Sequence, residues 1–170
     1  YAQLNPAAMD NSWFVERLYP AASPDEEMES LSRIDLGREA VVGSDFAGYV
    51  RNYEPGISAD ASVRLVKYTP RYLDYEYESS SAGTLVFSEI YYPFGWKASV
   101  DGSPCEHFRV NYTLRAMNVP AGSHTIHFEF DPDSVRKGDR IAMACVVLMY
   151  LVCIAIAAMA LKGKKRRSKA

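Results

Sequence analysis

The chain has 170 residues, with 19 Lys and Arg against 21 Asp and Glu, and its formal net charge is -2. The charges are unevenly distributed, because residues 1–140 carry 13 basic and 21 acidic side chains, whereas residues 141–170 carry six basic and no acidic ones. This asymmetry excludes a soluble globular domain of uniform composition, and the acidic body excludes a nucleic-acid binder built on a basic surface.

The first 60 residues predict a lead-in segment made of short elements. Asn5–Val15 mixes turn residues with a short apolar run, and it indicates a strand in which Trp13 anchors the core. Ala40–Val42 is typical of a second, brief strand.

A helix is predicted between these strands, over residues 24–34. Ser23 can cap it, Pro24 suits its first position, and Glu26 completes a capping box. The spacing of three places Met28, Leu31 and Ile34 on one apolar stripe, and the acidic run then forms a solvated face.

Residues 61–135 predict a β-sandwich core, because apolar and polar residues alternate there with the period of a half-buried strand. The apolar positions are Val63, Leu65, Leu73, Tyr75, Tyr77, Leu85, Phe87, Tyr91, Trp96, Ala98, Val100, Phe108, Val110, Tyr112, Ile126, Phe128 and Phe130. Turn residues separate the runs, and Asp101-Gly102 is a strong hairpin signal. The fold class is therefore mainly β, an antiparallel β-sandwich or jelly-roll-like domain with a short helix near its N-terminus.

Residues 141–161 form an uncharged apolar run that predicts a transmembrane helix. A helix needs about 20 apolar residues to cross the hydrocarbon core of a bilayer. A buried core helix is the alternative, although such helices rarely run this long without a charge. A basic tail follows over residues 162–170, and cations beside a span tend to stay in the cytoplasm. We therefore expect a cytoplasmic C-terminus, with residues 1–140 outside.

The start of the chain suggests a larger parent protein. Tyr1 is not a start Met, and no signal-peptide pattern precedes the acidic domain. An external domain needs help to cross a membrane, so we expect either a removed signal peptide or upstream transmembrane helices.

The Cys and His residues predict neither a disulfide nor a metal site in the external domain. Only Cys105 lies outside the span, which excludes a disulfide within the domain, and the Cys and His residues lack the spacing of metal ligands.

Tyr91, Tyr92 and Trp96 are candidate carbohydrate-binding residues, because an aromatic face complements the C–H patches of a sugar ring. Tyr91 and Trp96 also share the phase of core positions, so packing in the core stays open as an alternative. Tyr92 is free of that constraint.

A second candidate group surrounds Tyr112. Arg109, Asn111 and Arg115 occupy polar positions, and on one open face they could bind an anionic or polyhydroxyl group. No catalytic residue is predicted. The carboxylates Glu89, Asp101, Glu106 and Glu129 lie on or beside strands, mostly in the solvent-facing polar phase, whereas a glycosidase needs two carboxylates that face one cleft. No nucleophile motif accompanies the His residues.

The sequence resembles the C-terminal region of the bacterial YfhO family of multi-spanning membrane proteins. The resemblance rests on Tyr91–Gly102, Arg109–Ala116, Val119–His124 and Phe128–Pro132, which occur in that order, and on Asn11–Val15 upstream. The resemblance covers nearly all of residues 1–161 and is most specific over residues 91–132. In style, the sequence is similar to members from the Bacteroidetes. Met9-Asp10-Asn11 departs from the more usual Leu-Gly-Asn.

The resemblance implies a polytopic protein of the bacterial inner membrane that is related to the GT-C class of glycosyltransferases. These enzymes use lipid-linked sugars, and their catalytic acidic residues lie in loops near the N-terminus, so no catalytic residue transfers to this segment. The implied role is accessory or substrate-binding, in envelope glycan or lipid-linked sugar transfer. No cofactor is expected here, although the parent would use a polyprenyl-phosphate sugar donor. The expected partners are the bilayer, the parent's other transmembrane helices and envelope glycans, without nucleic acid. A single-pass cell-surface binding module is the alternative.

Overall fold

The protein is described by a computed structural model over residues 8–50 and 60–167, with side chains described as far as Met159. The described residues exclude the start of the first predicted strand at Asn5, residues 51–59 of the lead-in segment and residues 168–170 of the basic tail. The side chain of Leu161 and those of the basic tail are likewise not described. The chain divides into two units, Tyr1–Asp131 and Pro132–Ala170.

The first unit is built mainly from short strands. These are β1 (Ser12–Val15), β2 (Arg17–Ala21), β3 (Glu39–Gly43), β4 (Ser62–Tyr68), β5 (Tyr72–Ser79), β6 (Gly83–Ile90), β7 (Trp96–Val100), β8 (Ser103–Cys105), β9 (Phe108–Val110), β10 (Leu114–Val119) and β11 (Gly122–Phe130). Helix α1 (Pro24–Leu31) separates β2 from β3, and a 3₁₀ helix (Ser44–Tyr49) follows β3.

Two antiparallel sheets form the sandwich. Their strand orders are β1-β6-β10-β9 in the four-stranded sheet and β4-β5-β11-β7-β8 in the five-stranded sheet. The predicted mainly β, antiparallel fold is therefore confirmed. Strands β2 and β3 pair in parallel and form a separate two-stranded sheet, which the sequence pattern does not predict.

Alternation along the strands explains how the four-stranded sheet is buried on both faces. Phe14, Leu85 and Met117 face the five-stranded sheet, where they pack with Tyr75 and Phe128. The intervening positions face the opposite way, because successive strand side chains alternate between faces. Val15, Val86 and Ala116 accordingly pack in a second cluster with Ala40, Val42, Phe108 and Val110. Trp13 is half-buried against this second cluster, and its indole N–H donates a hydrogen bond to Leu36 O at 3.0 Å.

Tight turns close the hairpins. Asp101 and Gly102 join β7 to β8 with φ angles of 49° and 79°, as a hairpin turn of mirror-image type requires. Asn111 and Tyr112 also have positive φ angles, 50° and 67°, between β9 and β10. Tyr112 therefore lies in a turn with its side chain exposed, and its predicted place in a core-facing strand pattern is wrong.

Helix α1 has the predicted cap but not the predicted apolar stripe. The Ser23 hydroxyl accepts a hydrogen bond from Glu26 N at 3.2 Å, and the Glu26 carboxylate accepts one from Ala22 N at 2.8 Å. Met28 is exposed, whereas Glu27 is fully buried. The expectation of a wholly solvated acidic face is thus wrong, because the protein supplies polar partners for the Glu27 carboxylate.

The second unit is helix α2 (Asp133–Arg167). Within the described part of the chain, this is the one helix long and apolar enough to cross a membrane. The candidate span is Asp133–Met159, and its most apolar 18-residue window has a mean hydropathy of 2.8 and is not buried at all. Cys145 and Cys153 lie exposed on it.

Candidate functional site

A shallow groove of about 340 Å³ lies on the surface of the domain beside β7 and β8. Its lining combines aromatic rings with polar groups: Tyr49, Tyr91, Pro93, Trp96, Lys97, Ala98, Pro104, Cys105, Glu106 and His107. The groove thus brings Tyr91 and Trp96, two of the predicted carbohydrate-binding residues, to one surface.

Tyr49 reaches the groove from the end of the 3₁₀ helix. Its ring stacks on Phe108 with centroids 4.8 Å apart, and its hydroxyl donates a hydrogen bond to Glu106 Oε2 at 3.0 Å. Burial, and then the Glu106 carboxylate, raise the pKa of Tyr49, so the phenol stays protonated at neutral pH. The ring and the carboxylate are therefore held together as one polar edge of the groove.

Tyr91 and His107 form another part of the lining. The Tyr91 ring meets Phe46 and His107 edge to face, at centroid distances of 5.2 and 5.5 Å. His107 Nε2 lies 3.3 Å from Trp96 O, and burial lowers the pKa of His107. A neutral imidazole at pH 7 donates through one nitrogen, and the Trp96 carbonyl is an acceptor for that proton.

Trp96 connects the groove with the interior. It is half-buried and packs against the inter-sheet core, and its ring centroid lies 5.2 Å from that of Phe130. The Arg115 guanidinium lies over its ring at 4.5 Å. Trp96 thus fits both sequence interpretations, because one part of the indole packs in the core and another lines the groove.

Arg115 is buried between the sheets, with only 1% of its surface exposed. Its guanidinium is stacked between Trp96 and Phe128, and Nη2 donates to Ile90 O at 3.3 Å. Burial lowers the pKa of Arg115, yet a guanidinium remains protonated in proteins. Burial raises the pKa of the nearby Glu89 carboxyl, and the Arg115 charge opposes that rise. The side chain is an internal cation held by aromatic faces.

Arg109 forms an ion pair with Glu27 of α1. Its Nη2 lies 3.2 Å from Glu27 Oε2, and Tyr112 N donates to Glu27 Oε1 at 2.7 Å. Gly43 leaves room for this pair, since a Cβ there would lie 2.9 Å from Glu27 Oε2. The buried carboxylate therefore ties α1 to the β9–β10 turn.

Asn111 is also committed to internal contacts. Its side-chain Oδ1 accepts a hydrogen bond from Val41 N, and its own N–H donates to Val41 O, both at 2.8 Å. Although Arg109 and Arg115 are paired across β9 and β10, the structure does not bring them and Asn111 onto one open face. Tyr92 is exposed but lies outside the groove lining, against Phe94 and Phe130.

Several groove residues were not anticipated from the sequence. Tyr49 belongs to a segment without strand or helix periodicity, and His107 and Glu106 follow a short strand as ordinary polar residues. Only the pairing of distant elements makes them neighbours. Among the described residues, no group of three or more His, Cys, Asp or Glu side chains could hold a metal ion.

The family assignment follows from a comparison with protein-family models. Residues 56–141, just over half of the chain, match the family described as bacterial membrane protein YfhO. This span includes strands β4 to β11, the groove residues between Tyr91 and His107, and the first part of α2. No curated protein and no solved structure matches the chain. The chain belongs to the YfhO family of bacterial membrane proteins.

Proposed function

We propose that the β domain binds an envelope glycan outside the cytoplasmic membrane, as an accessory part of a protein that transfers lipid-linked sugars. The aromatic groove is the observation that carries this proposal. Tyr49, Tyr91 and Trp96 offer ring surfaces for sugar C–H groups, and the Glu106 carboxylate can accept hydrogen bonds from sugar hydroxyls.

The shape of the groove favours part of a chain over a small enclosed ligand. It is shallow and open, and the exposed Lys97 and Glu106 lie on its lining. Such a surface suits one or two residues of a longer glycan, which would be held beside the membrane as an acceptor. The polyprenyl-phosphate donor and the catalytic carboxylates would belong to other parts of the parent protein.

The six cations of residues 162–169 support a cytoplasmic C-terminus, since basic residues beside a span favour that side. The parent is proposed to be polytopic, in the inner membrane of a bacterium. The sequence upstream of Tyr1 tests this directly. Several hydrophobic spans there would support a polytopic parent, whereas one apolar signal alone would fit a single-pass surface module.

The groove is tested by titrating the full chain in lipid nanodiscs with defined peptidoglycan and polysaccharide fragments. Tyr91→Ala removes a ring that lines the groove, and we expect binding to weaken about tenfold, the effect of losing a contact of about 1.4 kcal/mol. Tyr92→Ala removes the adjacent ring outside the groove, so it is the matched control and should leave the affinity unchanged.

A second variant guards against a folding defect. Glu106→Gln changes an exposed groove carboxylate without removing volume, and it should weaken binding while leaving the circular dichroism spectrum intact. The proposal is overturned if no fragment binds, or if Tyr91→Ala and Tyr92→Ala have the same effect.

A further inference from the structure

The two ends of the sandwich have different surfaces. β11 begins at Gly122 and ends at Phe130, and we call these the distal end and the exit end, because the chain leaves the sandwich after Phe130. The nine residues of β11 separate the two ends by about 27 Å, at about 3.4 Å per residue.

Large apolar side chains are exposed at the exit end. Ile90, Tyr92 and Phe94 are 72%, 47% and 68% exposed. Tyr68, at the end of β4, and Tyr112, in the β9–β10 turn, are exposed there as well. The strand pairing brings the segments that carry these side chains to the same end. Tyr72 at the start of β5 pairs with Glu129 near the end of β11, and Ile90 at the end of β6 pairs with Leu114 at the start of β10. The loop after β6 joins them, because Asp131 N donates a hydrogen bond to Gly95 O at 2.7 Å.

The distal end has no comparable side chains in the turns that the structure describes. Residues 80–82, 101–102 and 120–121 form these turns, and they contain only Ser, Ala, Asp, Gly and Pro. Among the described residues, the two ends of the domain therefore differ in exposed apolar side chains, and the overall composition of the chain does not explain this difference.

The exposed rings at the exit end are packed against one another. Tyr92 lies 5.7 Å from Phe94 and 6.3 Å from Phe130, and Phe130 lies 5.2 Å from Trp96. Exposed apolar patches of this kind mark contact with a protein or a membrane. Tyrosine is enriched where one end of a side chain is apolar and the other is wet, as at the surface of a bilayer.

Chain connectivity favours the membrane as the partner. Helix α2 begins at Asp133, and its uncharged run begins at Ile141. The eight residues before that run rise about 12 Å along a helix, while the headgroup layer of each leaflet is about 5–8 Å thick. The segment includes Arg136, Lys137 and Arg140, which suit a headgroup layer. The exit end is thus tethered within a short distance of lipid.

We propose that the exit end of the sandwich is a bilayer-contacting surface, with Ile90, Tyr92 and Phe94 in the headgroup layer of the leaflet next to the domain. The partner is the lipid surface itself. This inference requires only that α2 spans the membrane, and it is independent of any glycan bound by the groove.

The test places a fluorescent reporter at each end of β11. The full chain is reconstituted in phosphatidylcholine vesicles whose lipids carry bromine near the carboxyl end of one acyl chain, since bromine quenches tryptophan on contact. Phe94→Trp adds a reporter at the exit end, and Ala121→Trp adds the matched control at the exposed distal turn. The unsubstituted chain supplies the background emission of Trp13 and Trp96.

We expect brominated lipid to reduce the emission added by Phe94→Trp by about twofold, as for an interfacial ring, and to leave that added by Ala121→Trp unchanged. Iodide in the buffer should quench the emission added by Ala121→Trp and leave the emission added by Phe94→Trp largely unchanged. Tyr92→Trp repeats the measurement at the neighbouring exposed ring should Phe94→Trp disturb the fold. Strong iodide quenching at position 94 without bromine quenching would place the exit end in water and overturn the proposal. Protection from both quenchers would identify a protein partner, such as a second copy, and would overturn it equally.

Discussion

The Glu27 carboxylate illustrates how a single residue can depart from its sequence pattern. It lies in an acidic helix, among residues that mostly face solvent, yet it is completely buried. A buried charge is tolerated when it is paired and hydrogen-bonded, and here Arg109 and the N–H of Tyr112 supply both contacts. The carboxylate also supports the left-handed backbone of Tyr112, a conformation that costs energy for a residue with a Cβ.

Glu27→Ala should therefore be strongly destabilising. It leaves the partly buried Arg109 without its counter-ion and the Tyr112 N–H without an acceptor, and we expect the free energy of unfolding to fall by about 3 kcal/mol. Denaturant titration of the full chain in detergent micelles measures this change. Glu29→Ala on the same helix removes an exposed ion pair with Arg33 and should cost less than about 0.5 kcal/mol. Equal effects of the two variants would contradict the role assigned to Glu27.

His124 and Asp101 give the domain a pH-dependent contact. His124 Nδ1 lies 2.5 Å from Asp101 Oδ2, and this hydrogen bond raises the pKa of His124 above its ordinary value of 6.5. The N–H of Thr125, and then His124, lower the pKa of Asp101 below its ordinary 3.8. The His124 contribution is complete below pH 6.5 and is lost as the pH rises through the raised pKa. The Asp101 contribution is present above pH 3.8 and is lost as the pH falls through the lowered pKa.

The pair should therefore stabilise the fold most between pH 3.8 and 6.5. His124→Gln removes the titrating group, so the stability advantage of the unsubstituted chain over this variant should shrink as the pH is raised from about 5 to about 9. Unfolding curves for both proteins across this range provide the measurement. A difference that stays constant with pH would show that the contact does not titrate.

Among the elements, the β7–β8 hairpin was the one whose turn could be specified from local sequence. Asp101-Gly102 between alternating runs predicts a turn with two positive φ angles, and both are observed. The β9–β10 turn has the same backbone requirement at Asn111 and Tyr112, but no glycine marks it. Its conformation depends on contacts from β3 and α1, which are distant in sequence.

Gly102→Ala tests the turn without crowding it. An added Cβ at Gly102 would meet no atom within 4 Å, so the cost comes from φ of 79° alone and should be about 1–2 kcal/mol of unfolding free energy. Gly48→Ala is the matched control, since its Cβ also meets nothing within 4 Å and its φ lies outside the left-handed region. Thermal unfolding of the two variants should separate them, and equal melting temperatures would remove the strain argument.

On the scale of the whole molecule, the charge asymmetry of the sequence corresponds to the division into two units. The acidic residues lie before Ile141, in the β unit and the first turns of α2, while six cations follow the apolar run. In a membrane protein this distribution favours retention of the C-terminus in the cytoplasm.

Fusion of green fluorescent protein to Ala170 tests the orientation, because that protein becomes fluorescent in the bacterial cytoplasm but not after export through the general secretion pathway in unfolded form. We expect this fusion, made in the proposed polytopic parent, to fluoresce. Replacing the six cations of residues 162–169 with Gln should reduce this fluorescence, because basic residues beside a span favour a cytoplasmic location and the variant lacks them. If the fusion of the unsubstituted protein were present at a normal level but not fluorescent, the C-terminus would lie outside the cytoplasm and the expected orientation would be wrong.

The sequence by itself determined the features that depend on short-range regularities. The apolar run needs only length and composition, the capped start of α1 needs four adjacent residues, and the strands follow from alternation within single segments. The family also followed from an ordered set of local motifs between Tyr91 and Pro132.

The tertiary structure decided which side chains meet. Arg115 occupies a polar-looking strand position, but the sandwich places it between Trp96 and Phe128, and Arg109 pairs with a glutamate from the other half of the domain. The groove likewise combines Tyr49, Tyr91 and His107, which come from three separate segments of the chain. The physical reason is that burial and pairing depend on non-local packing, whereas periodicity gives only the face of a strand and not the partners that cover it.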